Sequence, residues 1–302
     1  MIHNNIVYHT NQIQMTQDTG KFRTNVMDQF YTSPTVAKTC VDLILKYIPD
    51  AKKHTWVEPS AGNGSFLRSV PPRVKKIGVD LDPKSPDILK QDYLEWERSP
   101  AIIAPILVFG NPPFGKQSSL AKAFISKSCT FADVIAFILP KSFTKPSMFN
   151  AFNLKFHCVH SVELPKDSFV LNGEPYDVPC VFQIWQKKKD DRVVEAAIPA
   201  IGFKYVKANA NPNADDATSE YDVAFRRVGV YAGKCFVNDG TTKYNAQSHH
   251  FLKFDDVCMP FINSIVEKIN AHTFPSNTVG PRSLSKSEIN TVLNNIIATS
   301  IQ

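Results

Sequence analysis

Val57-Glu58-Pro59-Ser60-Ala61-Gly62-Asn63-Gly64-Ser65-Phe66 is the stretch on which the fold turns. The apolar run His54–Glu58 before it reads as a short strand, and Ser65–Val70 after it reads as a helix. Glycines between a strand and a helix let the backbone turn tightly and approach a ligand closely. A phosphate-binding loop would avoid a carboxylate at Glu58, and no Gly-Lys-Ser/Thr follows, so a P-loop is excluded. Glu58, at the strand's end, suits a cationic amine instead.

The same alternation continues outward. Strands are expected at Val74–Leu81, Ile88–Gln91, Pro105–Gly110, Val134–Leu139, His157–Leu164 and Val178–Gln186. Helices are expected at Ser118–Cys129 and Ser147–Leu154, and from Ser33, where Pro34 suits a first turn, to Pro49. Near-continuous apolar strands such as ILVF and VIAFIL fit a parallel sheet covered on both faces. The pattern predicts a doubly wound α/β domain. The last two strands have no helix between them, so they form a hairpin that adds one antiparallel strand.

Three further signals follow the glycine turn. Asp80 lies 18 residues after Gly62, at the end of the next strand, where nucleoside-binding α/β domains bind ribose hydroxyls. Asp92 and Tyr93 follow the third strand, where a carboxylate can accept from an adenine amino group and a ring can lie against the base. Asn111-Pro112-Pro113-Phe114 directly follows an apolar strand. An amino nitrogen on an aromatic ring is a poor nucleophile, because its lone pair is delocalised. Two acceptors, the Asn111 side-chain oxygen and the Pro112 carbonyl, can hold its hydrogens, draw it toward tetrahedral character and aim the lone pair at a methyl group. The prolines stiffen the loop, and Phe114 offers a face for a base to stack on.

Asp28-Gln29-Phe30-Tyr31-Thr32, Glu58 to Phe66, Asp80, Asp92 and Asn111 to Phe114 stand in one order. That order resembles the S-adenosylmethionine-dependent adenine-N6 DNA methyltransferases of the gamma class, the TaqI-like group, over about residues 28–187. The resemblance implies a Rossmann-like class I methyltransferase sheet with S-adenosylmethionine as cofactor. It places Phe30, Tyr31 and Thr32 near the methionine part and Glu58 on the amino group, with Pro59, Gly62 and Gly64 in the turn beneath. Asp80 then falls on the ribose, and Asp92 with Tyr93 at the adenine. An aromatic residue in the loop Pro165–Tyr176 should stack on the flipped base. Phe169 is the choice and Tyr176 the reserve. The same tetrapeptide serves RNA adenine-N6 methyltransferases and, with Tyr in place of Phe, glutamine-N5 protein methyltransferases. A non-catalytic nucleic-acid-binding subunit of the same fold is a further alternative, against which the intact motifs speak.

The composition agrees. With 43% apolar and 21% charged residues, the 302-residue chain can bury a substantial core and is not a disordered protein. Six cysteines are too few for a disulfide scaffold, and no apolar run reaches the about 18 residues that span a bilayer. The first residues lack a signal-peptide layout, so the expectation is a soluble intracellular protein with no membrane partner. The net positive charge of 6 lies in residues 1–190, whereas 191–302 are balanced. A polyanionic partner fits this, and the resemblance implies DNA in preference to RNA. The expected division is a polar arm at 1–27, a cofactor-binding catalytic domain at 28–190, and a smaller α+β target-recognition region at 191–302. There, Arg226, Arg227, Lys234 and Lys243 alternate with Tyr231, Phe236 and Tyr244 in a pattern suited to a nucleic-acid backbone. His157-Cys158-x-His160 and His249-His250 lack a matching second cluster, so no metal is expected. No cysteine sits in a nucleophile motif, which argues for direct transfer to an amino nitrogen.

Overall fold

The structure is a computed structural model that describes residues 30–171, 173–207, 221–276, 278 and 281–301. The polar arm 1–27, Asp28 and Gln29 of the first motif, and the loop Ala208–Glu220 lie outside them.

Among the described residues ten strands precede residue 190. They are β1 (Tyr31–Thr32), β2 (Thr55–Glu58), β3 (Lys76–Asp80), β4 (Ile88–Lys90), β5 (Ile106–Gly110), β6 (Val134–Pro140), β7 (Phe156–Glu163), β8 (Phe169–Leu171), β9 (Glu174–Tyr176) and β10 (Cys180–Lys187). Seven of them form one sheet in the order β4-β3-β2-β5-β6-β10-β7. β10 runs antiparallel to both of its neighbours, β6 and β7, and the other pairings are parallel. This is the expected Rossmann-like, mostly parallel sheet, with the late hairpin supplying the antiparallel strand.

Adjacent residues of a strand face opposite sides, so each central strand feeds two cores. Trp56, Phe109 and Phe182 pack beneath α1 (Pro34–Tyr47) and α2 (Ser65–Ser69). Val57, Val108 and Trp185 pack on the other face with α3 (Ser119–Cys129). α1 begins where the sequence indicates. The Ser33 hydroxyl accepts from the Val36 amide at 3.4 Å, Pro34 opens the first turn, and Val36, Ala37, Cys40, Val41 and Ile44 form the buried stripe.

Two expectations are corrected. Ser147–Leu154 is not an α-helix: the chain forms a 3-10 turn over Pro146–Ala151. The guanidinium of Arg192 braces this turn, donating to the carbonyls of Phe149, Phe152, Asn153 and Phe156 and lying over the Trp185 ring. Pro165–Tyr176 is not an open loop either. Its strands β8 and β9 form a hairpin, and β1 pairs with β8 so that Thr32 faces Phe169 and Tyr31 faces Val170.

Beyond residue 200, β11 (Phe203–Val206), β12 (Val223–Arg226), β13 (Cys235–Val237) and β14 (His249–Phe254) form an antiparallel sheet in the order β11-β14-β12-β13. Helices α4 (Ile262–Ala271) and α5 (Lys286–Ile301) cover one face, with Ile265, Ile269 and Leu293 against Phe225 and Leu252. α5 starts at a capping box: Ser285 Oγ accepts from the Glu288 amide, and Glu288 Oε2 accepts from the Ser285 amide at 2.8 Å. Lys145 Nζ ties this region to the large sheet, donating to Ser283 O at 2.6 Å and to Glu288 Oε2 at 3.0 Å. Among the described residues no helix is long and apolar enough to cross a membrane.

Candidate active site

The carboxyl ends of β2, β3 and β5 open onto one cleft, where ligands bind in open α/β sheets. After β2 the chain turns through Gly62 (φ +49°) and Gly64 (φ +77°) into α2. Only glycine adopts these angles freely. A Cβ on Gly62 would also come within 3.0 Å of the Tyr31 ring, so the turn presses against the β1 motif.

Asp80 holds the turn from the next strand. Its Oδ2 accepts from the Gly62 amide and its Oδ1 from the Asp82 amide, both at 2.7 Å. A carboxylate offers about four lone-pair sites, so capacity remains for hydroxyl donors in the cleft. Asp92 Oδ1 accepts from the Leu94 amide at 2.8 Å, which aligns this second carboxylate on the cleft wall.

Asn111 is fixed from two directions. Its Nδ2 donates to the Phe30 carbonyl at 3.1 Å, and its own backbone carbonyl accepts from Ser60 Oγ at 2.8 Å. With Nδ2 so engaged, Oδ1 is buried and, among the described residues, has no hydrogen-bond partner. Thr32 Oγ1 and Glu58 Oε2 are in the same state. An unpaired buried polar atom costs about 1–3 kcal/mol, and of these three only the Asn111 oxygen belongs to a residue that lines the cleft, where a ligand can supply the partner.

Of the residues singled out in the sequence, Phe30, Tyr31, Pro59, Gly62, Asp80, Asp92, Tyr93, Asn111 and Pro113 line the cleft. Thr32, Glu58, Gly64, Pro112, Phe114 and Phe169 do not. Glu58 ends a strand covered on both faces and is only 2% exposed, packed where a Cβ on Gly110 would meet its Cγ at 3.0 Å. Burial pushes its carboxyl well above the usual range, with Asp80 adding to the rise and the Leu67 amide and Arg68 opposing it.

Three aromatic expectations change. Phe169 is 1% exposed and packs edge-on against Phe30, so it is a core residue and not an open clamp. The pairing of β8 with β1 turns its ring inward. Tyr176, partly buried, stacks on Phe30 at 5.1 Å. Tyr93 is buried: its hydroxyl bonds Ser128 Oγ at 2.8 Å and its ring packs against Phe124, so it forms the floor of the cleft and does not stand free to stack. Phe114 is 5% exposed within the α1 core cluster.

Sequence reasoning missed Ser60, which couples the glycine turn to the Asn-Pro-Pro-Phe loop, and the exposed leucines Leu81 and Leu120, which give the cleft apolar walls. Leu81 carried a readable signal: an apolar residue directly after the strand-end acid, with no core to enter.

S-adenosylmethionine carries an ammonium, two ribose hydroxyls and an adenine. The two carboxylates and the leucines match the hydroxyls and the adenine, so the residues present fit the cofactor that the resemblance implies; Glu58, expected on the ammonium, is buried and does not line the cleft. Among the described residues no group of three or more His, Cys, Asp or Glu could hold a metal ion.

No protein-family model matches the chain, and no curated protein sequence matches it. Solved structures do resemble it. One is a candidate RNA methyltransferase from Pyrococcus horikoshii, 17% identical over 56% of this chain and 92% of that one, with a TM-score of 0.42. Another is a candidate class I S-adenosylmethionine-dependent methyltransferase from Listeria monocytogenes, 17% identical over 58% of this chain and 66% of that one, with a TM-score of 0.43. Trm5 from Methanocaldococcus jannaschii, solved with adenosine, is 16% identical over 53% of this chain and 50% of that one, with a TM-score of 0.38. At such identities and TM-scores the likeness is one of general fold, and the site's own geometry carries the functional reading.

Proposed function

We propose that the chain transfers a methyl group from S-adenosylmethionine to the N6 amino group of an adenine flipped out of DNA. The observation that carries this reading is Asn111: an amide locked through its nitrogen, with a buried and unpartnered oxygen, in a Pro-stiffened loop at the rim of the cleft. An adenine N6 amino group has two hydrogens to place, and the Asn111 Oδ1 and the Pro112 carbonyl accept them. The target leaves the helix first, because in a duplex its amino group is paired and stacked.

Asp80 holds the ribose hydroxyls and Asp92 the cofactor's adenine amino group. Phe30 and Tyr31 border the methionine end. When bound, the cofactor supplies an electrophilic methyl group on a positively charged sulfur. Asn111 Oδ1 and the Pro112 carbonyl would hold the N6 hydrogens so that the lone pair meets that methyl group, and one N6 proton would pass to solvent. Residues 28–190 carry this chemistry, and residues 191–302 recognise the target. Phe114 in place of Tyr favours a nucleic acid over a glutamine side chain.

The test is parallel incubation of DNA, RNA and protein with methyl-labelled S-adenosylmethionine. Label in N6-methyladenine of DNA is expected, and its loss in Asn111→Ala with cofactor binding retained. Undiminished transfer in that variant ends the proposal.

A further inference from the structure

We propose that the turn joining β12 to β13 is a wedge that enters duplex DNA beside the target base; this rests on the methyl-transfer reading above. The turn runs from Arg226 to Lys234 and is locked by its own backbone. Arg226 N donates to Lys234 O and Gly233 N to Arg226 O, both at 2.8 Å, and Ala232 N donates to Gly229 O at 3.0 Å. Gly229 (φ +104°) and Gly233 (φ +101°) make the corners, and a Cβ on Gly233 would strike the Phe274 ring at 2.6 Å.

At the tip of this stiff turn stand Val230, 85% exposed, and Tyr231, 64% exposed. A lone exposed apolar residue is ordinary. Two adjacent ones at the tip of a pre-ordered turn, where polar residues are the norm, gain nothing for the fold. Cations surround them. The Arg226 guanidinium lies over the Tyr231 ring at 5.8 Å, and Arg227, Lys234 and Arg282 flank the turn. Their hydrogen bonds run to carbonyls, Arg226 to Val228 O and Arg227 to Gln247 O. Among the described residues none of these four cations pairs with a carboxylate, so their charge is left for an outside anion.

The turn is also anchored toward the catalytic edge. Gly229 N donates to Arg282 O and Leu284 N to Arg227 O, both at 2.9 Å, and Val228 bridges Ser283. Ser283 O accepts from Lys145, which follows the carboxyl end of β6; β6 pairs with β5, and Asn111 comes directly after β5. An acidic protein would call for the cations alone. An aromatic and an aliphatic tip between cations fits a base step opened by an inserted side chain, with phosphates on either side.

The experiment measures binding of a fluorescent DNA duplex by the full chain and by the double variant Val230→Ser/Tyr231→Ser, with 2-aminopurine in the duplex to report unstacking. The variant should lose about tenfold in duplex affinity and the unstacking signal, while melting temperature and S-adenosylmethionine binding hold. A wild-type chain that binds and methylates DNA while the variant binds within twofold of it overturns the wedge alone. A wild-type chain with no affinity for duplex DNA overturns the wedge and the methylation reading together. A loss seen only on duplex RNA overturns the assignment of the wedge to DNA.

Discussion

The side-chain nitrogen of Asn111 donates to the backbone carbonyl of Phe30 at 3.1 Å, joining two motifs 81 residues apart. Because this bond uses Nδ2, it sets which amide atom is left over, and the one left over is the acceptor oxygen. Asn111→Asp keeps the shape and removes the donor, placing a carboxylate oxygen against the Phe30 carbonyl. Turnover should fall by about 10²–10³, the loss typical of one misplaced charge-stabilising group. Steady-state methylation assays check this, with cofactor binding by calorimetry expected to change far less.

Phe169 and Tyr176, the two aromatic candidates of one loop, differ in burial. Phe169 is buried against Phe30 and Tyr176 lies partly exposed on the same ring. Phe169→Ala should cost about 3–5 kcal/mol of stability. Tyr176→Ala should cost less than half as much. Denaturant unfolding of the two variants decides the matter, and equal midpoints would contradict the burial difference.

Arg192 is a staple built from the chain beyond the sheet. Its guanidinium serves four carbonyls between Phe149 and Phe156 and covers Trp185. Arg192→Ala should destabilise the fold by about 1–3 kcal/mol, since four carbonyls lose a charged donor and Trp185 loses the guanidinium over its ring. Arg192→Lys should not restore the loss, because an ammonium cannot span the fork. Thermal melts of the three proteins give the comparison.

His250, set edge-on to Tyr205, is held down at about 4 by burial first, and then by the charges of Arg227 and Lys286. Between pH 4 and the ordinary histidine range near 6.5, the unfolded chain binds a proton there and the folded chain does not. Stability therefore rises with pH across that window. His250→Gln should flatten part of the rise in urea midpoints measured from pH 4 to 7, and an unchanged profile would refute the shift.

The doubly wound sheet was legible because its information is local. Ile106–Gly110 and Val134–Pro140 are apolar throughout, and only a strand covered on both faces buries every residue of such a run. The glycine turn, Asp80 and Asn111 were legible for the same reason: each sits at the end of a strand, and strand ends of a parallel sheet converge on one edge. What the side chains of 165–176 do was decided only by the tertiary structure. The inward turn of Phe169 follows from its register opposite Thr32, a pairing across 137 residues that no local pattern encodes. In place of the Ser147–Leu154 helix stands a 3-10 turn over Pro146–Ala151, on which Arg192, some forty residues on, packs with its guanidinium donating to the carbonyls of Phe149 and Asn153. Local propensity and periodicity determined which segments became strands and where the motifs fell. Long-range pairing decided which face each aromatic ring presents, because burial depends on what arrives from elsewhere in the chain.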